Sequence, residues 1–168
     1  MTPYFCRKER QETLEAAADA WAGTPFMPHN ATRGPQGGVD CVHLAHELMV
    51  AAGAMQRATL PAGYAIDHAR HSTETMLLRW ILDCPQLAGR VAMVPPHGRI
   101  LPGDLYGLRS GRVDHHLAIA LRDGHIAHAV AGRGVLIHGA SDRKFQERIL
   151  YLLRIFEADT PVDAGGGQ

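Results

Sequence analysis

Gly37-Gly38-Val39-Asp40-Cys41-Val42-His43-Leu44 is the stretch from which the rest of the chain is read. A glycine-rich loop ends in it and an apolar-periodic segment begins. Apolar residues recur at Leu44, Ala45, Leu48 and Ala52, the spacing of a buried helical face. The stretch therefore predicts a helix with Cys41 on its first turn, running to about Ala52. Asp40 is a good N-cap, because its carboxylate can accept the orphan N–H groups of that turn, and Gly53 supplies a stop. A thiol at a helix N-terminus feels the positive end of the dipole, which lowers its pKa toward the nucleophilic thiolate. Position alone does not make Cys41 a nucleophile, since free cysteine is usually a small buried hydrophobe.

Upstream, Leu14, Ala17, Ala18 and Trp21 fall on one face and predict a helix over Arg7 to Ala22, ended by Gly23-Thr24-Pro25. Phe26 to Gly38 is a Pro-, Gly- and Asn-rich loop that delivers the chain to Cys41. Such a loop is a candidate cleft wall, with Phe26 and His29 in it and His43 just beyond the nucleophile. On sequence alone His29 reads first as an exposed loop residue and only second as part of that wall. His43 and His46 stand three apart and could share a metal. The string is not H-E-x-x-H, however, and suggests no third ligand, so neither a metal nor any other cofactor is expected. Both read as surface or half-buried helix residues.

Downstream, Gly53 to Arg70 is a connection. Ser72 to Cys84 predicts a helix with Ser72 as cap, Glu74 in the first turn, and Met76, Leu77, Trp80 and Ile81 buried. Pro85 closes it, and Cys84 reads as structural. After Val91 the pattern changes. Leu101-Pro102-Gly103-Asp104 is a turn signal, and strands follow at Leu105–Leu108, His116–Leu121, His125–Val130 and Val135–His138. Ile149 to Phe156 reads as a last strand, with a helix over Lys144–Leu153 as the alternative. Helices first and an antiparallel meander second point to an α+β fold, with helices packed on one side of the sheet.

The 168 residues fit one domain, taken as 1–156, followed by a polar, Gly-rich tail, 157–168, expected to be disordered. Apolar content is 46%, and 17 basic residues balance 17 acidic ones. That balance gives no argument for a nucleic-acid partner or an anionic membrane surface. No stretch approaches a membrane span. No secretory signal is visible at the start, so synthesis in the cytoplasm is expected, with any extracellular action reached by another route. The three cysteines, Cys6, Cys41 and Cys84, make neither a disulfide framework nor a zinc pattern.

A cysteine nucleophile needs a base within hydrogen-bond reach, and the base needs an orienting group. His115, His116, His125, His128 and His138 lie on the strands. His115 and His116 are adjacent, so only one can face the helix. The loop between the second and third strands sorts the rest. A two-residue loop at Asp123-Gly124 would pair His128 with Ile119 and turn His116 to the other face. A three-residue loop, Arg122-Asp123-Gly124, would pair His128 with Ala118 and put His116 and His128 on one face. A three-residue loop wants glycine at its last, left-handed position, and Gly124 is there. On that register His128 is close enough to orient His116. Cys41 would attack a carbonyl, His116 would carry the proton, and the Cys41 N–H would donate to the oxyanion.

These residues resemble, in order, the motifs of the NlpC-type cell-wall cysteine peptidases. They are Gly23-Thr24-Pro25-Phe26, Gly38-Val39-Asp40-Cys41-x-x-Leu44, Pro102-Gly103-Asp104-Leu105, His116-Leu117-Ala118-Ile119, Ile126-Ala127-His128-Ala129 and Gly134-Val135. The resemblance runs from about Trp21 to His138. It implies a papain-like fold and cleavage of peptidoglycan stem peptides, typically at D-γ-glutamyl-diaminopimelate bonds. Cys41 would be the nucleophile, His116 the base and His128 the third polar residue. The Phe26 to Asn30 loop and the start without a signal resemble the branch found in phage tails and gene-transfer particles, which makes tail proteins candidate partners and the virion tail a candidate location. Two positions depart from the pattern. Phe26 stands where the family often has tyrosine, and His43 where a small residue is usual. Both bear on substrate choice. The same residues leave open another thiol acyl-transfer enzyme, or a wall-binding or structural tail component without turnover.

Overall fold

The computed structural model describes residues 1–60, 75–95 and 97–158. Helix α1 is Lys8–Trp21 and buries Leu14, Ala18 and Trp21. Gly23 then takes φ +77° and the chain leaves the helix. The loop that follows contains a small ladder absent from the sequence reading, β1 (Ala31–Thr32) against β2 (Gly38–Val39). Helix α2 is Cys41–Ala51, capped by Asp40, whose side chain accepts the His43 N–H. Gly53 (φ +73°) follows the helix and turns the chain away.

Helix α3 is Met76–Leu82, with Leu77 and Ile81 buried. It starts later than the sequence suggests, and the expected cap Ser72 and first-turn Glu74 lie outside the described residues. The N–H of Leu78 instead meets the Asp114 carboxylate at 2.7 Å, so a strand residue satisfies one of the helix's orphan donors.

Strands β3 (Val91–Met93), β4 (Leu105–Ser110), β5 (Val113–Ala120), β6 (His125–Val130), β7 (Gly134–Gly139) and β8 (Ile149–Ile155) form an antiparallel sheet. Their order is β3-β8-β4-β5-β6-β7. β3 is short and largely unburied, so it carries no alternation to read. β8 is the strand expected from Ile149, and the helical alternative shrinks to the single turn α4, Arg143–Gln146.

The meander alternates between two faces. Leu105, Leu117, Ile119, Ala127, Ala129, Val135, Tyr151 and Leu153 pack with α1, α2 and α3 in the main core. Tyr106, Leu108, Ala118, Ala120 and Ile126 point the other way and are covered by Ala140 and Phe145. The helices therefore do not all lie on one side, because α4 brings Phe145 to the opposite face. Glycine is required where layers meet closely: a Cβ on Gly107 would collide with the Tyr151 ring. The Leu101–Asp104 turn is fixed by Asp104, which accepts the Leu101 N–H at 2.8 Å and a forked pair from Arg154 at 2.8 and 2.7 Å. Among the described residues no helix is long and apolar enough to cross a membrane.

Candidate active site

Three pieces of chain meet at Cys41: the start of α2, the loop before it, and the sheet at β5 and β6. Asp40 is almost fully buried and organises the first two. One carboxylate oxygen accepts the His43 N–H and contacts His43 Nδ1, both at 2.9 Å. The other accepts the backbone N–H of His29 at 2.6 Å. His29 has φ +54°, and this bond holds that turn of the loop. Of the three candidate wall residues, His29 and His43 thus gather at Asp40. Phe26 instead packs against the main core and bridges to Val39. His46 is buried rather than on the surface, with Nε2 accepting the Ala58 N–H at 3.1 Å. His43 and His46 therefore serve different partners. Among the described residues no group of side chains is arranged to hold a metal ion.

The β5–β6 hairpin has the three-residue loop. Ile119 pairs with Ala127 and Ala120 with Ile126, and Gly124 takes φ +72°. Asp123 is also left-handed, at φ +54°, a conformation Asp tolerates better than most residues. On this register His116 and His128 share a face, and their Nε2 and Nδ1 atoms are 2.9 Å apart. The face is not the one toward α2. His116 alternates with Ala118 and Ala120, which belong to the Phe145 side. The cause is a bulge: Leu108 pairs with His116 but Arg109 with Asp114. His115 is the extra residue, so Asp114 and His116 no longer share a face. Asp114 turns to the helices and accepts the Tyr151 hydroxyl at 2.6 Å.

Cys41 meets β5 at the strand's backbone. The N–H of Ala120 points to β4, bonding Asp104 O, and that of Leu121 points to β6, bonding His125 O, each at 2.8 Å. By alternation the Leu117 N–H also points toward β6, beyond the last paired position, Ile119 with Ala127. The thiol of Cys41 faces that N–H, which belongs to the residue following His116 in the chain. Burial pushes the thiol up to about 12, against the pull of the Leu117, Cys41 and Val42 N–H groups, while the Asp40 carboxylate adds to the rise. The lowered pKa expected from the helix dipole is thus overridden by desolvation. Among the described residues no hydrogen bond joins Cys41 to His116.

The histidines continue past His128. His128 Nε2 lies 2.9 Å from His138 Nε2, and His138 Nδ1 lies 2.9 Å from the Gly139 carbonyl oxygen. Burial, then neighbouring His128, Arg148 and His115, holds His116 well below the ordinary histidine value. Burial, with His138, Arg148 and Arg133 near it, lowers His128 to about 4. Both rings are neutral at pH 7. Counting strand histidines finds His138 without giving it a partner; its alternation with Leu136, paired to His128 in β7 and β6, is the signal that places it on the same face.

No family model and no curated protein sequence matches the chain. Solved structures do. A protein of the NLP/P60 family from Staphylococcus aureus, described as similar to lipoprotein, is 19% identical with a TM-score of 0.59, over 94% of this chain and 45% of that one. An NlpC/P60 family protein from Bacillus cereus is 22% identical with a TM-score of 0.53, over 84% of this chain and 39% of that one. The peptidoglycan hydrolase RipB from Mycobacterium tuberculosis is 16% identical with a TM-score of 0.54, over 90% of this chain and 67% of that one. The chain thus spans less than half the length of the first two. None of the three is described as a phage-tail protein. At these identities the likeness is one of fold, and it agrees with the helices and six-stranded antiparallel sheet described above: the chain has the α+β fold of the NlpC/P60 proteins.

Proposed function

We propose that the protein is a cysteine peptidase or amidase that hydrolyses the peptide stems of bacterial peptidoglycan, with residues 1–156 as its catalytic domain. The observation that carries this reading is the His116–His128 hydrogen bond, on the strand whose Leu117 N–H meets the thiol of a cysteine at a capped helix start. The fold is shared with a protein described as a peptidoglycan hydrolase, which supports the substrate class.

In this reading Cys41 Sγ attacks the scissile carbonyl carbon while its proton passes to His116 Nδ1. The oxyanion takes a hydrogen bond from the Cys41 N–H. The C–N bond then breaks as His116 returns the proton to the leaving amine, and water, deprotonated by His116, hydrolyses the thioester. A neutral resting thiol means that proton transfer accompanies attack and no ion pair precedes it. Contacts of this kind tighten when substrate is bound. The bond of choice by resemblance is γ-D-glutamyl-diaminopimelate. The phage-tail or gene-transfer setting is drawn from the resemblance stated above, including that of the Phe26 to Asn30 loop.

Digestion of purified peptidoglycan, with product masses read by mass spectrometry, tests the reading. Fragments cut within the stem peptide support it, and intact stems after exposure to folded protein contradict it. The raised thiol pKa favours one second reading, a wall-binding module with an idle site. That module would retain wall fragments equally well with Cys41→Ala and release no product.

A further inference from the structure

The three histidines form one directed chain, and its direction is set at the end farthest from Cys41. A carbonyl oxygen only accepts, so the His138 Nδ1 that meets Gly139 O carries the proton. In neutral His138 the Nε2 is then bare. His128 Nε2, 2.9 Å from it, must donate, which leaves His128 Nδ1 bare. His116 Nε2, 2.9 Å from that nitrogen, must donate in turn, which leaves His116 Nδ1 as a lone pair. We propose that His138 is a positioning residue: through His128 it fixes the tautomer of His116 that presents a bare Nδ1 as base.

This inference rests on the proposed role of His116 for its catalytic consequence, but the tautomers themselves exist without substrate. The surroundings keep His116 and His128 neutral. The Arg148 charge acts on both His116 and His128 and the Arg133 charge on His128, His115 lies beside His116, and Phe145 packs edge-on against His128 and His138. Among the described residues no carboxylate acts on His116 or His128, so none of them favours an imidazolium at rest. A proton taken by His116 leaves the ring donating through Nε2 as before, so the base works without the chain rearranging. A chain running the other way would place a hydrogen on His116 Nδ1 and remove the base.

The test is nitrogen-15 NMR of the full-length protein labelled at histidine, at pH 7.5, with His138→Leu and His138→Gln beside wild type. Wild type is expected to show Nε2–H with bare Nδ1 at both His116 and His128. His138→Leu removes the acceptor and is expected to leave His128 and His116 as tautomer mixtures. Its kcat falls about 10- to 100-fold with KM little changed, a range set by general-base catalysis and tautomer control. His138→Gln offers an amide oxygen to His128 and is expected to restore both the tautomers and most of the rate. Wild type with a hydrogen on His116 Nδ1, or His138→Leu with unchanged ring signals, would overturn the proposal. If His138→Leu does not fold, the wild-type tautomers decide alone. Expected tautomers without turnover by wild type would sink the peptidase reading and leave the directed chain standing. Turnover with unaltered tautomers in His138→Leu would do the reverse.

Discussion

His116 Nε2 and His128 Nδ1 meet at 2.9 Å across two strands whose ladder has already ended at Ile119 and Ala127. The pair is held by side chains on one face of a hairpin with a three-residue loop, and not by continued strand pairing. Removing His128 frees the His116 ring. His128→Ala is expected to lower kcat by about 100-fold or more, the scale on which a misoriented base loses its function, with the melting temperature measured alongside to separate misorientation from unfolding.

The buried rings also make stability depend on pH. His128 is held at about 4 in the folded chain against an ordinary 6.5, and His116 shifts the same way. Below pH 6.5 the unfolded chain binds protons that the folded chain refuses. Stability is therefore full above pH 6.5 and is lost as pH falls toward 4. The His128 shift alone corresponds to about 3 kcal/mol across that window. Urea unfolding at pH 7.5 and pH 5 measures it. An unfolding free energy that does not fall at pH 5 would contradict the neutral, buried chain.

The thiol gives a second pH dependence. Cys41 sits at about 12 because burial outweighs the helix N–H groups. Alkylation of Cys41 by iodoacetamide is expected to be slow at pH 7 and to rise with pH through 9 without a plateau. Peptide mapping by mass spectrometry separates it from exposed Cys6. A rate already level at pH 7 would mean a preformed thiolate.

Much of this was legible from sequence because it depends on local rules. Asp40 reads as a cap and acts as one. Gly124 at the third loop position sets the register that puts His116 with His128. What was hidden is what tertiary packing decides. The bulge at His115 turns Asp114 and His116 to opposite faces, and no alternation pattern announces an inserted residue. The thiol pKa follows from how deeply the sheet buries Cys41, which helix position cannot tell. His46 read as a surface or half-buried residue because its partner, the Ala58 N–H, lies beyond the helix.

Asp40 ties the helix start to the loop through three contacts. Asp40→Ala is expected to cost about 2 kcal/mol, the upper range for a lost cap, and to loosen the loop around His29. Proteolysis between Phe26 and Gly38 should quicken more than the global unfolding rate does. Equal changes in both would show that Asp40 supports the fold without organising the loop.

Arg154 is the forked partner of Asp104, which is 1% exposed. Arg154→Leu leaves that carboxylate buried without its cation and is expected to cost about 3 kcal/mol or more. Thermal denaturation reads the loss. Restoration by Asp104→Asn in the Arg154→Leu background would confirm that the unpaired charge is its origin, and no restoration would assign it to lost packing.

The central claim is that Cys41 is the nucleophile of a stem-peptide hydrolase. Its most direct test is release of product from a γ-D-glutamyl-diaminopimelate peptide by wild type, Cys41→Ala and His116→Ala, each shown to be folded by its melting curve. Turnover is expected from wild type, none from Cys41→Ala, and a residual rate at least about 100-fold lower from His116→Ala. Turnover that survives in Cys41→Ala would contradict it.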